Sequence, residues 1–408
     1  MRILLVNKFI FPKGGAETYT FDVGKMLEEH GHEVQYFGLE NEKNTVGNRI
    51  GSYVTNMDFS QGIKANLNAP FRIIYSREAR KKIRAVLDDF QPDVVHLNNI
   101  QYHLTPSIIL EINKWRKETK KECKIVYTTH DYQLVCPSHG MFDVNMKPCE
   151  LCLDGHYIHC FQTKCLKNSR AKSLLGTLDG YMWKYSKAYS YVDVYICCSY
   201  FLKSKLDTQK RFRDKTIGLH NFKKEMPHLD NIQKKGYVLE FGHLSRDKGT
   251  DTLLEVAKKM PNTEFVFIGY GPSADKMKDI PNVNYLGFKT GEELYRIIAE
   301  AAISVCPSEQ YENCPYSVIE SVLLGTPVVG SKMGGIPELI EPGKTGELFE
   351  AGNVEDLMKA IKKVLQTQDV LERYTKNCSQ VKYETTESYY IKLMKIYRGE
   401  KNVEQISS

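Results

Sequence analysis

The 408-residue sequence predicts an α/β protein built from two doubly wound, Rossmann-like parallel-sheet domains facing a central cleft. Three observations predict this class. The length suffices for two hydrophobic cores, because single domains settle near roughly 100 to 200 residues. Short, almost wholly apolar runs alternate with segments of helical period, the pattern of strands buried on both faces. That alternation breaks off near residue 222 and begins again at residue 237, so it forms two series.

In the first series, "RILLV" (2–6), "EVQYFG" (33–38), "DVVHLN" (93–98), "KIVYTTH" (124–130) and "DVYICCS" (193–199) read as buried parallel strands. The intervening segments include "AETYTFDVGKMLEEHG" (16–31), which has apolar spacing near 3.6 and a glycine stop. After "TIGLHNF" (216–222) and a polar stretch, the second series runs through "YVLEFG" (237–242), "EFVFIG" (264–269), "VNYLG" (283–287), "ISVCP" (303–307) and "TPVVG" (326–330). The expected domains are residues 1–217 and 222–384, with a further segment, 385–408, whose last residues, "NVEQISS", are expected to be disordered. Ligands of such sheets bind at strand carboxyl ends, which makes the cleft between two facing domains the expected site.

The net charge of +6 is unevenly spread: residues 1–220 carry +9 and the remainder −3. Cations cluster in "SREARKKIRAVL" (76–87) and "NKWRKETKKECK" (113–124), patches suited to phosphates or an anionic membrane, or to plain solvated helix faces. "MRILLVNKF" is unlike a signal peptide, and no stretch reaches the ~18 to 20 apolar residues of a membrane span. A cytoplasmic protein that touches, but does not cross, the inner face of a membrane is expected. Its eleven cysteines are then expected to be reduced.

Several strand ends carry residues suited to phosphate. Gly14 and Gly15 precede a helix, where backbone amides and the helix dipole favour an anion, although a tight turn without ligand explains them equally well. His243, Arg246 and Lys248 follow the strand at 237–242; two fixed cations there suit a diphosphate, Arg as a bidentate fork and Lys as a point charge. Gly269 and Gly271 leave room for a base or ribose. "ENCPYSVIE" (312–320) places Glu312 in a loop, Pro315 at the first helical turn and Glu320 within the helix.

Taken in order, "GGAE" (14–17), "THD" (129–131), "GHLSRDKG" (242–249), "IGYGP" (268–272), "ENCPYSVIE" with "GTPVVG" (312–330), and "GGIPELI" with "GKTG" (334–346) resemble the retaining family-four glycosyltransferases of the GT-B fold, the glycosyl transferases group 1. The resemblance covers nearly the whole chain. It implies a nucleotide-sugar donor, UDP-linked by preference, held mainly by the second domain without a catalytic metal. Gly14, Gly15 and Glu17 would border the phosphates, with Gly15 offering its amide. Arg246 and Lys248 would neutralise the departing diphosphate, His130 and Glu312 would contact the donor sugar, and Glu320 would take the ribose hydroxyls. Asn313, Pro315, Tyr316 and Ser317 would line the sugar and phosphates, and Gly271 the nucleoside. His243 stands where relatives usually carry Arg and cannot supply a constant charge. The resemblance also implies same-face attack, a leaving-phosphate oxygen taking the acceptor proton, and a final helix (385–408) returning to the first domain. A saccharide or lipid-linked saccharide acceptor in surface polysaccharide or glycolipid assembly is the implied partner.

Residues 136–165 interrupt the alternation with Cys136, Cys149, Cys152, Cys160 and Cys165 among three histidines. Cys149-x2-Cys152 with Cys160 and Cys165 suits a tetrahedral zinc knuckle, and a subset of the family is similar here; reduced cysteines in a mobile loop are the alternative. Cys197, Cys198, Cys306 and Cys314 read as small core residues. Two other functions fit parts of the pattern. A nucleotide-sugar epimerase needs no acceptor, and a zinc-knuckle nucleic-acid-binding protein would use the basic half, though no aromatic RNA-binding motif is present.

Overall fold

The computed structural model describes residues 1–56, 69–224 and 226–400; "NVEQISS" lies outside them. The chain divides into two compact units. The first comprises described residues of 1–140, 150–219 and from Glu387 onward; the second comprises 141–149 and 220–386.

Each unit is built on one six-stranded parallel sheet. In the first, β1 (Arg2–Val6), β2 (Glu33–Phe37), β3 (Val94–Leu97), β4 (Lys124–Thr129), β5 (Val194–Cys197) and β6 (Thr216–Gly218) lie in the order β2-β1-β3-β4-β5-β6. Ile3 pairs with Val34 on one side and Val94 on the other. In the second, β7 (Val238–His243), β8 (Phe265–Tyr270), β9 (Val283–Tyr285), β10 (Ile303–Cys306), β11 (Val328–Ser331) and β12 (Gly346–Phe349) lie in the order β12-β11-β10-β7-β8-β9. Residues of the central strands, such as Ile3, Val94, Val95, Leu239 and Ile303, are fully buried, as expected where helices cover both faces. The short edge strands β6 and β12 add to the ten strands read from sequence.

These orders place a topological switch between β1 and β3 in the first sheet and between β7 and β10 in the second, where successive crossovers leave in opposite directions and a crevice opens beyond the strands' carboxyl ends. Both crevices carry candidate site residues.

The final helix, Thr386–Arg398, belongs to the first unit and is tied in by a buried polar chain. Tyr389 OH lies 2.6 Å from Tyr19 OH, which lies 3.0 Å from Thr128 Oγ1. His96 bridges Thr128 Oγ1 and Tyr397 OH, at 2.7 Å each. Burial pushes the Tyr19 phenol up to about 12 and the His96 imidazole down to about 3, so both stay neutral and exchange hydrogen bonds without burying charge. Among the described residues no helix is long and apolar enough to cross a membrane.

Glu240, in the middle of β7, is an acid in the core of the second unit. Thr250 Oγ1 donates to its Oε1 at 2.7 Å, Oε2 has no partner among the described residues, and burial pushes the carboxyl up to about 8. The folded chain therefore keeps a proton that the unfolded chain releases near the ordinary glutamate value. The stability this group contributes is full below that value and is lost as pH rises through about 8. Glu240→Gln keeps an acceptor and removes the titration. Its stability relative to wild type, from urea unfolding, should rise by about 1.4 kcal/mol per pH unit between about pH 5 and 8. Parallel wild-type and variant curves would show that Glu240 is ionised in the fold.

Candidate active site

The second unit's switch point is assembled from three loops. After β7 the chain turns through Arg246–Lys248 and Gly249 into the helix Thr250–Lys259. Gly249 has φ +78°, and a Cβ there would lie 1.9 Å from the Pro307 carbonyl oxygen, so only glycine lets this turn pack against the loop after β10. That second loop runs from Pro307 to Pro315, and the Glu309 amide donates to the Asp247 carbonyl at 3.0 Å. The third, after β11, clasps Glu312: the Gly335 amide donates to the Glu312 carbonyl at 2.7 Å. Gly334, at φ +63°, lies so near that a Cβ would sit 2.0 Å from that oxygen.

The result is a fixed ion pair. Lys248 Nζ donates to Glu312 Oε1, and Ser308 Oγ donates to the same oxygen at 3.0 Å. Burial alone would lower the Lys248 ammonium, but the adjacent Glu312 carboxylate outweighs it and holds the pKa above the ordinary lysine value. Lys248 is thus a permanent cation. Burial, with Glu312 next, pushes the Cys306 thiol up to about 12, which leaves it un-ionised.

Beyond Glu312, Asn313 and Cys314 are buried and Pro315 caps the helix Tyr316–Leu323. The first intrahelical bonds are made by the Val318 and Ile319 amides to the Pro315 carbonyl, so Tyr316 and Ser317 form the anion-favouring first turn. Glu320, on the same helix, is paired with Lys223, Nζ to Oε1 at 2.7 Å, and Lys223 also sits 5.3 Å from the Tyr316 ring centroid.

Arg246 is placed differently from Lys248. It lines a separate cleft of about 340 Å³ with Asp251 and Lys276. His243 is exposed, and its ring meets Tyr270 at 5.5 Å, with Tyr270 in turn 5.9 Å from Phe288. Tyr270 and Phe288 are 57% and 66% exposed, an aromatic row at the carboxyl ends of β8 and β9 beside Gly271.

In the first unit, the corresponding crevice holds Asn7, Glu17, Asn98 and His130. Gly14 caps the helix Gly15–Glu29 in extended conformation. Glu17 is buried, and Asn7 Nδ2 donates to its Oε1 at 3.1 Å. Asn7 Oδ1 in turn accepts from the Asn99 amide at 3.0 Å, joining the ends of β1 and β3. His130 Nε2 lies 2.9 Å from Asn98 Oδ1, its ring sits edge-on to Tyr19 with centroids 4.9 Å apart, and burial lowers its pKa to about 4. The imidazole is neutral, so Nε2 carries a hydrogen and donates to Asn98.

The zinc knuckle expected from Cys149, Cys152, Cys160 and Cys165 is corrected. Among the described residues no three His, Cys, Asp or Glu side chains converge to hold a metal ion. Cys160 and Cys165 instead pair with each other, Sγ to Sγ at 2.9 Å, and this hydrogen bond holds Cys165 below and Cys160 above the ordinary thiol value. Cys152 and Cys160 pack with Tyr157 in a small apolar cluster. Cys149 falls in the 141–149 segment counted with the second unit, whereas the other three belong to the first.

Sequence reasoning missed Ser308, Lys223, Asn98 and the Tyr270–Phe288 row. Only the aromatics carried a signal, each adjoining a glycine at the end of an apolar run.

Comparison with known proteins agrees with this architecture. The family model described as Glycosyltransferase Family 4 matches residues 13–221, and that described as Glycosyl transferases group 1 matches residues 221–381. The chain belongs to this glycosyltransferase family and is a glycosyltransferase of the group 1 type with the GT-B fold. It is 25% identical over 361 residues to an uncharacterized 42.6 kDa protein in the cps region of Klebsiella pneumoniae, covering 83% of this chain and 87% of that one. It is 28% identical over 166 residues to the amylovoran biosynthesis glycosyltransferase AmsK of Erwinia amylovora, covering 37% of this chain and 41% of that one. Among solved structures, HepE from Anabaena in complex with UDP superposes with TM-score 0.68 at 16% identity, covering 98% of this chain and 100% of that one.

The ion pair has a direct test. In Glu312→Gln, the group that outweighs burial is gone and only weaker influences such as Asp247 oppose it, so the Lys248 pKa should fall and Lys248 should acetylate several-fold faster at mildly alkaline pH, read by peptide mass spectrometry. An unchanged rate would mean that Glu312 does not hold the ammonium.

Proposed function

We propose that the protein transfers a sugar from a UDP-linked donor to a saccharide or lipid-linked saccharide, with retention, in the assembly of a surface polysaccharide or glycolipid at the cytoplasmic face of the membrane. The observation that carries this reading is the Lys248–Glu312 pair at the second sheet's switch point, beside the first turn of the helix Tyr316–Leu323. The HepE structures with UDP and with UDP-glucose support the donor, and the amylovoran and cps-region relatives support the setting. Family membership favours a transferase over the epimerase and nucleic-acid-binding readings.

In this reading, breaking the bond between the anomeric carbon and the phosphate oxygen leaves the electron pair on the diphosphate. Lys248 and the amides of Tyr316 and Ser317 neutralise that charge, a preorganised arrangement that supplies most of the stabilisation such a step needs. As the ammonium turns to phosphate, Glu312 is released to accept a hydroxyl of the donor sugar. The acceptor's proton passes to the departing phosphate oxygen, and the new glycosidic bond forms on the same face. Glu320 takes the ribose hydroxyls at the expense of its bond to Lys223. His130, neutral and held by Asn98, makes a hydrogen bond to a sugar hydroxyl and adds no charge. The Tyr270–Phe288 row stacks the base, while Arg246, lining a separate cleft, is left out of the diphosphate clamp.

Calorimetry with UDP-, GDP- and ADP-sugars should show binding for the UDP series; failure of all three overturns the donor site. Glu312→Gln should lower kcat by about 10²-fold with little change in donor KM. Glu320→Gln should raise donor KM by about tenfold while sparing kcat, and Phe288→Ala should weaken UDP binding by about tenfold. Equal, negligible effects of the two glutamate changes would remove both from the reaction.

A further inference from the structure

The helix Arg170–Tyr185 in the first unit is amphipathic in the wrong sense for a protein surrounded only by water. The face it buries carries Ser173, Gly176, Thr177 and, in its last turn, Trp183. Its glycines allow close contact: a Cβ on Gly176 would lie 2.4 Å from Leu166 Cδ1, and one on Gly180 would lie 2.8 Å from the Tyr157 ring. Four large apolar side chains point outward, with Leu174 44%, Leu178 52%, Met182 36% and Tyr185 72% exposed, while Trp183 is buried on the glycine side. At 100° per residue these four fall within an arc of about 80°, a continuous apolar stripe. Ile158, 40% exposed, lies on the adjoining helix Ile158–Thr163, and its amide donates to Tyr181 OH at 3.3 Å.

Met182 at the stripe's end also lines a cleft of about 1250 Å³ whose other walls are strongly cationic. Five cations, Arg72, Arg77, Arg80, Lys81 and Arg84, face two acids there. Both acids are occupied: Glu78 by Arg72, and Glu111 by Arg80 and Arg84. Arg77 and Lys81, one turn apart and exposed on the helix Arg77–Phe90, are in no ion pair among the described residues. The stripe's own helix has a single acid, Asp179, which accepts from Trp183 Nε1 at 2.9 Å.

We propose that this face of the first unit docks on an anionic lipid bilayer, with Leu174, Leu178, Met182 and Tyr185 entering the acyl boundary and Arg77 and Lys81 meeting lipid phosphates. Apolar residues in a stripe flanked by cations that form no ion pair among the described residues match the interfacial helix of a peripheral protein. A second copy of the chain fits poorly, because a twofold contact through this patch would set Arg77 and Lys81 against their own equivalents. This surface is separate from the donor site, so its test stands apart from the proposed transfer.

The full chain is sedimented with vesicles of phosphatidylcholine alone and with vesicles containing about one-third phosphatidylglycerol. The expected result is partition onto the anionic vesicles about tenfold stronger than onto neutral ones, falling as salt rises. Leu178→Ser with Met182→Ser, and separately Arg77→Glu with Lys81→Glu, should each reduce it about tenfold. Absence of binding to both vesicles, or wild-type binding by the charge-reversed variant, would overturn the proposal. So would a lipid-free dimer in sedimentation velocity that the serine variant dissociates, which would assign the face to a second copy. Thermal melting monitors folding, and if the serine variant melts early, the charge reversal at two exposed side chains decides.

Discussion

A parallel sheet covered by helices on both faces has no strand surface left for chemistry. Every polar group that must meet a substrate is confined to the loops beyond the strands' carboxyl ends, and only where the crossover direction reverses do two such loops diverge enough to leave a crevice. This constraint organises both units. In the first, Asn7 after β1 and Asn99 after β3 are bonded across the switch point; in the second, Lys248 after β7 meets Glu312 after β10. Glycines follow from the same crowding. Gly249 and Gly334 stand where one loop's backbone presses on another's, and a single methyl at either would drive the loops apart.

The electrostatics of the second crevice follow from placing two opposite charges there before any ligand arrives. A lone half-buried lysine would lose its proton more readily. Paired with Glu312, Lys248 keeps its proton, so the crevice holds a fixed cation. In the proposed reaction an incoming diphosphate would compete for the lysine and an incoming sugar for the glutamate. The net stabilisation from the native pair is therefore small beside its role in holding charge, as is usual for partly buried ion pairs. Ser308 adds to this by donating to the same glutamate oxygen, which helps orient the carboxylate.

Much of this was legible in the sequence, for physical reasons. The eight interior strands declared themselves because burial on both faces demands unbroken apolar runs, the edge strands β2 and β9 were legible from shorter runs, and Glu312 was legible because its loop lies between an apolar strand and a proline-capped helix. The edge strands β6 and β12, three and four residues long, carry too little apolar sequence to stand out. Arg246 and Lys248 looked equivalent in a line of residues, but the 3-10 turn between them sends one to the ion pair and the other toward Asp251. The cysteines misled because Cys-x2-Cys spacing encodes proximity along the chain alone. Whether four thiols converge depends on how the segment packs, and here Tyr157 takes part of the space and Cys160 pairs with Cys165.

The helix Arg170–Tyr185 makes the same point about a stripe. Its apolar period was compatible with an ordinary core-facing helix, and nothing in the order of residues says which side faces the protein. Packing decides it: Gly176 and Gly180 are the positions where Leu166 and Tyr157 approach too closely for any side chain, so the glycine face must be the inner one. Once that face is fixed, Leu174 and Leu178 have nowhere to go but outward. Leaving such side chains in water forgoes about 1.5 to 3 kcal/mol each that burial would supply. A helix that keeps Gly176 and Gly180 where Leu166 and Tyr157 require them, with Trp183 buried on the same side, presents this stripe outward, beside cations that form no ion pair among the described residues.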